Sequence, residues 1–229
     1  MSAHSDFLPE GTPRGLPGPL PPGERILWQG APTTRGLWLR VFHAPLVGLW
    51  FGLCGIGVVA VAQNPAGTAA ALVGVLGLAL ALLGALAYVA HRTTLYTVTN
   101  RRLVLQIGIA LPVTYNLPFG EVESADLRLF GDGSGDVPLR LKPAARIAYL
   151  QLWPHARPWR VTQPEPMLRS VPGATATAAI LARALAEARD AATLAGQEAG
   201  IAPGTAPAHV PVIVARPGRA APGRLVAAE

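Results

Sequence analysis

Hydrophobic and polar positions along the chain fall into four successive registers. Proline-rich, arginine-bearing sequence gives way to two unbroken apolar runs, then to short alternating stretches, then to one helical period. Ala44 to Ala62 reads APLVGLWFGLCGIGVVAVA, and Thr68 to Ala90 reads TAAALVGVLGLALALLGALAYVA, neither with a charged side chain. Crossing roughly 30 Å of hydrocarbon takes about 20 such residues. A helix on a soluble core would keep a polar stripe, and neither run has one. Residues 44–62 and 68–90 are therefore predicted as two transmembrane helices, joined by the turn chemistry of Asn64-Pro65 and Gly67.

After the second run the pattern alternates. Thr94–Thr99 and Arg102–Ile109 flank Asn100-Arg101 and read as a β-hairpin. Further strands are predicted at Val113–Leu117, Glu121–Phe130, Val137–Leu141 and Ile147–Trp153, and Glu24–Gln29 reads as a strand ahead of the apolar runs. With both ends of the helical hairpin on one side, that early strand can return and pair with the later ones. Thr175–Thr193 has Ala179, Ile180, Ala184, Leu185 and Ala188 at helical spacing and predicts an amphipathic helix. The expected fold is a membrane α-helical hairpin plus an α+β domain, an antiparallel β-barrel or sheet capped by a C-terminal helix. Residues 1–22 read as a flexible Pro/Gly-rich arm, 23–43 as the first strand and pre-membrane segment, 92–194 as the domain, and 195–229 as a disordered tail.

Composition agrees with a bilayer setting, with 51% hydrophobic and only 14% charged residues, where soluble domains carry about a quarter charged. The net charge of +6 rests almost wholly on arginine, Lys142 being the sole lysine. Arg25, Arg35 and Arg40 precede the first run and Arg92, Arg101 and Arg102 follow the second, while the turn between is uncharged. The positive-inside rule places both termini in the cytoplasm. That rule also explains the basic balance without nucleic acid. The apolar runs come too late for a cleaved signal, so the first is expected to stay as an anchor. Cys54 is the single cysteine and permits neither an intrachain disulfide nor a cysteine metal site.

The residues also carry a family resemblance. Gly23-Glu24-Arg25-Ile26-Leu27-Trp28-Gln29-Gly30, the two-run hairpin, and Tyr96-Thr97-Val98-Thr99-Asn100-Arg101-Arg102 resemble the bacterial membrane-flanked pleckstrin-homology (PH)-like domain. Within it, Gly108–Pro112, Asn116–Phe119, Gly131–Asp136, Ile147–Leu150, Leu152–Arg160 and Pro164–Arg169 resemble the PuhB family of photosynthetic-complex assembly proteins. The resemblance covers roughly Leu20 to Ala192. It implies a PH-like fold and a non-enzymatic helper of reaction-centre assembly in the inner, intracytoplasmic membrane of purple bacteria. It implies reaction-centre subunits as partners and no cofactor.

For chemistry the chain offers little. No Ser/His/Asp or Cys/His arrangement and no phosphate-binding loop is present. Asp132-Gly133-Ser134-Gly135-Asp136 has carboxylates at a calcium-loop spacing, but the place of the closing glutamate is taken by Pro143, so a glycine-rich strand connection is expected. His43 and His91 flank the spans and read as solvated rather than as porphyrin ligands. The stretch Trp153, His155, Arg157, Trp159 and Arg160 is a candidate partner-binding surface, because Trp and Arg dominate interface hot spots. The competing reading is a loop packed on its own domain with arginine on tryptophan. Gly48 and Gly52 form a GxxxG suited to helix packing, within the hairpin, against a partner or in a homodimer. Arg101 and Arg102 are candidates for topology or for lipid headgroups. A lipid-recognising domain is thus the alternative to an assembly factor. A transporter role is disfavoured because neither run carries an ionisable residue.

Overall fold

The computed structural model describes residues 12–109, 113–142 and 147–198. Strand β1 (Ile26–Gly30) leads into a short helix α1 (Thr34–Gly36), which the Thr33 side chain caps by accepting from the Gly36 amide at 3.2 Å. A π turn, Leu37–Val41, follows, and then α2 (Ala44–Ala60). Asn64 caps α3 (Pro65–Thr93) by accepting from the Gly67 amide, with Pro65 in the first turn where a missing N–H costs nothing.

The expectation of two transmembrane helices is met here in part. Among the described residues only α3 is by itself long and apolar enough to cross a membrane. The 17 residues of α2 rise about 25 Å, short of the ~30 Å required. Length is reached only by joining Thr34–Val41 to Ala44–Ala60 across a 45° bend. The bend falls where His43 adopts a left-handed backbone, φ 53°, a break that a hydropathy window cannot register. Leu37 and Phe42 of the bent segment pack on Ala87 and Ala90 of α3 as a small core of their own.

The rest is a domain of two antiparallel sheets. Strands β1, β2 (Leu95–Thr99), β3 (Arg102–Ile107) and β4 (Val113–Pro118) form the first in that order. Ile26 pairs with Thr99 and Gly30 with Tyr96, so the segment ahead of the helical hairpin does return to the sheet. In the second sheet β7 (Gly135–Leu141) is the hub, pairing with β5 (Val122–Ala125), β6 (Arg128–Leu129) and β8 (Met167–Val171). The sheets do not close into a barrel; α5 (Ala174–Glu198) covers them instead. Tyr96, Leu105, Leu117, Leu139, Leu168 and Leu181 meet in the core between them.

Several local expectations change. Ile147–Trp153, expected as a strand, contains the helical turn α4 (Tyr149–Leu152), with Ile147 and Leu152 buried and Leu150 left in solvent. The Glu121–Phe130 strand is interrupted between Ala125 and Arg128. Strand β8 was not expected at all. The arm expected flexible over residues 1–22 lies outside the described residues up to residue 11. From Thr12 onward it is packed, with Leu16 buried and the Arg14 carbonyl accepting from Gln29. The helix runs past residue 194 to Glu198, and the tail expected as disordered otherwise lies outside the described residues, as do Ala110–Pro112 and Pro143.

Candidate functional site

The stretch singled out by sequence begins where α4 ends. A cis peptide joins Trp153 to Pro154, and the His155 side chain turns inward, 1% exposed. Its Nδ1 is hydrogen-bonded to the Tyr96 hydroxyl at 2.7 Å, and its Nε2 to Thr94 Oγ1 at 3.1 Å. Tyr96 also accepts from the Arg169 amide at 3.2 Å. Burial, aided by the Arg169 charge, pulls the His155 pKa down to about 3, so the imidazole is neutral. His155 is therefore a polar core residue that joins α4 to β2, and not part of a contact surface.

Beyond it the chain leaves the core and comes back. Ala156 bridges to Pro166, closing a loop whose inner partner is Glu165, a buried carboxylate. Arg157 Nη1 donates to Glu165 Oε2 at 2.7 Å, and Arg140 and Arg160 stand 3.7 and 3.8 Å from its other oxygen. The two loop arginines expected on the partner surface thus neutralise a carboxylate of their own domain. Glu165 itself was overlooked in the sequence, although its flanking Pro164 and Pro166 mark a stiff corner. No arginine is stacked on Trp153 or Trp159 among the described residues. Trp159, at the loop tip with φ 65°, is 93% exposed; Trp153 is half exposed and meets Phe42 edge-on at 5.9 Å between centroids.

Trp159 stands over an open cleft of about 860 Å³, walled by Tyr149, Val161, Met167, Arg128, Arg169 and His43. Arg169 is mostly buried, bonded through Nη2 to the Ala156 carbonyl and 3.7 Å from Asp136, while its Nε has no partner. Burial lowers its pKa, and Asp136 opposes the shift. Beside Trp159, the cleft lining exposes the apolar side chains of Val161, 66% exposed, and Leu127, 39%. Three contacts tie this side of the domain to the base of α2. His43, the residue before α2, lines the cleft; Phe42 touches Trp153. Arg40 binds Asp132 at 2.7 Å and Ser134 at 2.8 Å, with its guanidinium 3.9 Å from the Phe130 ring centroid.

The Gly131–Asp136 turn is accordingly a strand connection docked on Arg40. Hydrogen bonds from Ser134 and Arg40 hold the Asp132 carboxyl down to about 2. No cluster of three or more metal-ligating side chains occurs among the described residues. Arg102 chelates Glu24 through Nε and Nη2 at 2.7 and 3.0 Å, which removes it from the candidates for headgroup contact; Arg101 stays exposed. A Cβ on Gly48 or Gly52 would meet nothing within 4 Å, so that GxxxG face does not pack on α3. His91 bonds the Pro32 carbonyl through Nδ1 at 2.7 Å.

Comparison with known proteins places these features in a family. The bacterial PH domain model matches residues 50–185. An uncharacterized 23.7 kDa protein in the puhA 5′ region of Rhodobacter capsulatus is 38% identical over 199 residues, covering 80% of this chain and 89% of the relative. No solved structure matches.

Proposed function

Because the chain belongs to the bacterial PH domain family, we propose that it is a non-enzymatic membrane assembly factor for the photosynthetic reaction centre. Both arms of the hairpin cross the bilayer in this reading, the bent one included, with the arginine-bearing ends cytoplasmic. The relative's place in the puhA 5′ region supports the reading and agrees with the resemblance to PuhB. Unassembled membrane subunits expose polar surfaces that lipid cannot satisfy, and a helper that covers them prevents misassociation.

The observation that carries the proposal is the exposed rim of Trp159, Leu127 and Val161 around a cleft attached to the base of α2. A rim of exposed tryptophan and aliphatic side chains suits a protein segment leaving the bilayer. Of the five residues first considered for partner binding, Trp159 and the exposed part of Trp153 stay in this role. Arg157 and Arg160 shape the loop, and Leu127 and Val161 join the contact set.

The test is affinity purification of the full chain from detergent-solubilised photosynthetic membranes, unaltered and with Trp159→Ala plus Val161→Ser. Reaction-centre subunits are expected with the unaltered chain and several-fold less with the variant, at equal melting temperature. Equal recovery would remove the rim from the interface. No reaction-centre subunit with the unaltered chain would overturn the assembly role.

A further inference from the structure

On the hairpin, away from the cleft, the first turn of the bent segment leaves a groove against α3. It measures about 480 Å³ and is lined by Thr34, Arg35, Trp38, Leu80 and Gly84. The floor is apolar: the Trp38 indole lies against α3, its Nε1 donating to the Leu80 carbonyl at 3.2 Å. Gly84 forms the facing wall, where a Cβ would stand in ordinary contact, 3.8 Å from that indole nitrogen.

The depth of the groove is set by α3. At 1.5 Å per residue, Leu80 lies about 22 Å and Gly84 about 28 Å along the helix from Pro65. The hydrocarbon core is roughly 30 Å thick, so with Pro65 at the far face the floor of the groove lies among acyl tails just inside the cytoplasmic boundary, and its mouth opens towards the headgroups. At its mouth Arg35 is exposed and has no hydrogen-bond or ion-pair partner among the described residues. Arg40, Arg102, Arg157 and Arg169 are each bonded within the protein.

We propose that this groove binds an anionic phospholipid of the surrounding bilayer. Its phosphate lies on the Arg35 guanidinium beside the Thr34 hydroxyl, and an acyl chain lies against Trp38, Leu80 and Gly84. The complementarity is of both charge and polarity: a free cation at headgroup level stands over a slot with almost no polar surface. A partner helix is the poorer occupant, because Leu80 and Gly84 span one helical turn and the slot ends at a charge. The inference rests on the membrane-spanning reading of α3 and is separate from the partner-binding rim.

The test uses the full chain in mild detergent, titrated with phosphatidylglycerol or phosphatidylcholine and read by native mass spectrometry. One phosphatidylglycerol per chain is expected, retained about fivefold better than phosphatidylcholine, as one juxtamembrane cation provides. Arg35→Gln abolishes the preference, Arg101→Gln leaves it intact, and Gly84→Leu reduces retention of both lipids. Equal retention by the unaltered chain, or a preference that survives Arg35→Gln, overturns the proposal. Alkaline extraction separates the levels of failure. A chain released from membranes overturns the spanning reading and this site with it, whereas a chain that resists release but shows no lipid preference overturns the site alone.

Discussion

Glu24 and Arg102 lie 78 positions apart, on either side of the helical hairpin, yet form a two-pronged ion pair at 2.7 and 3.0 Å. The pair closes the PH-like domain across its insertion. It holds the segment before the helices to the turn of the sheet that follows them, next to the β1–β2 pairing. Burial makes the closure matter, since the Glu24 side chain is only 2% exposed.

Removing one partner should therefore cost more than the pair is worth in itself. Glu24→Ala leaves the Arg102 guanidinium largely enclosed without its counter-charge, and a loss of about 3 kcal/mol is expected. Thermal melting of the detergent-solubilised protein measures it. Glu24→Leu combined with Arg102→Met should recover most of the loss, and failure to recover would mean that the carboxylate serves another group.

His155 gives the domain a defined response to acid. Its folded pKa of about 3 lies below the ordinary value of 6.5, so between those values the unfolded chain binds a proton that the folded one refuses. Stability rises with pH where the unfolded state holds more protons. It is thus fully present above about 6.5 and declines as pH falls towards 3. The expected slope approaches one proton per chain between pH 6 and 4.5 in denaturant titrations. His155→Asn should lower stability at pH 7 and flatten that slope; an unchanged slope would show that other groups carry it.

Gly135 is fixed by backbone proximity. A Cβ there would come within 2.7 Å of the Arg128 carbonyl oxygen and of Ala174 Cβ, where β6, β7 and the start of α5 converge. Gly135→Ala should destabilise by about 1–3 kcal/mol through overpacking, whereas Gly133→Ala, with no neighbour within 4 Å but φ 74°, should cost about 1 kcal/mol from left-handed strain alone. Comparing the two melts separates crowding from conformation.

Trp159 should behave oppositely to Trp153. With its ring almost wholly in solvent, Trp159→Ala should leave stability within about 0.5 kcal/mol of the parent. Trp153→Ala removes the contact with Phe42 and should cost about 1 kcal/mol or more. Tryptophan emission offers a direct check, the Trp159 component being the red-shifted, readily quenched one.

Two local properties of the sequence determined much of this protein. Uncharged runs located the helical hairpin, and alternation located β2, β3, β4 and β7, because hydropathy and periodicity are sums over neighbouring residues. The Pro/Trp/Arg-rich stretch was also legible as unusual. What the tertiary structure decided was the direction in which its side chains point. His155 turns inward because Tyr96 and Thr94, some sixty positions earlier, offer it partners, and Arg157 is taken up by Glu165 across the Ala156–Pro166 bridge. The burial of Glu24 against Arg102 has the same origin. Each depends on which distant residue supplies the contact, and that is settled by packing and pairing across the whole fold.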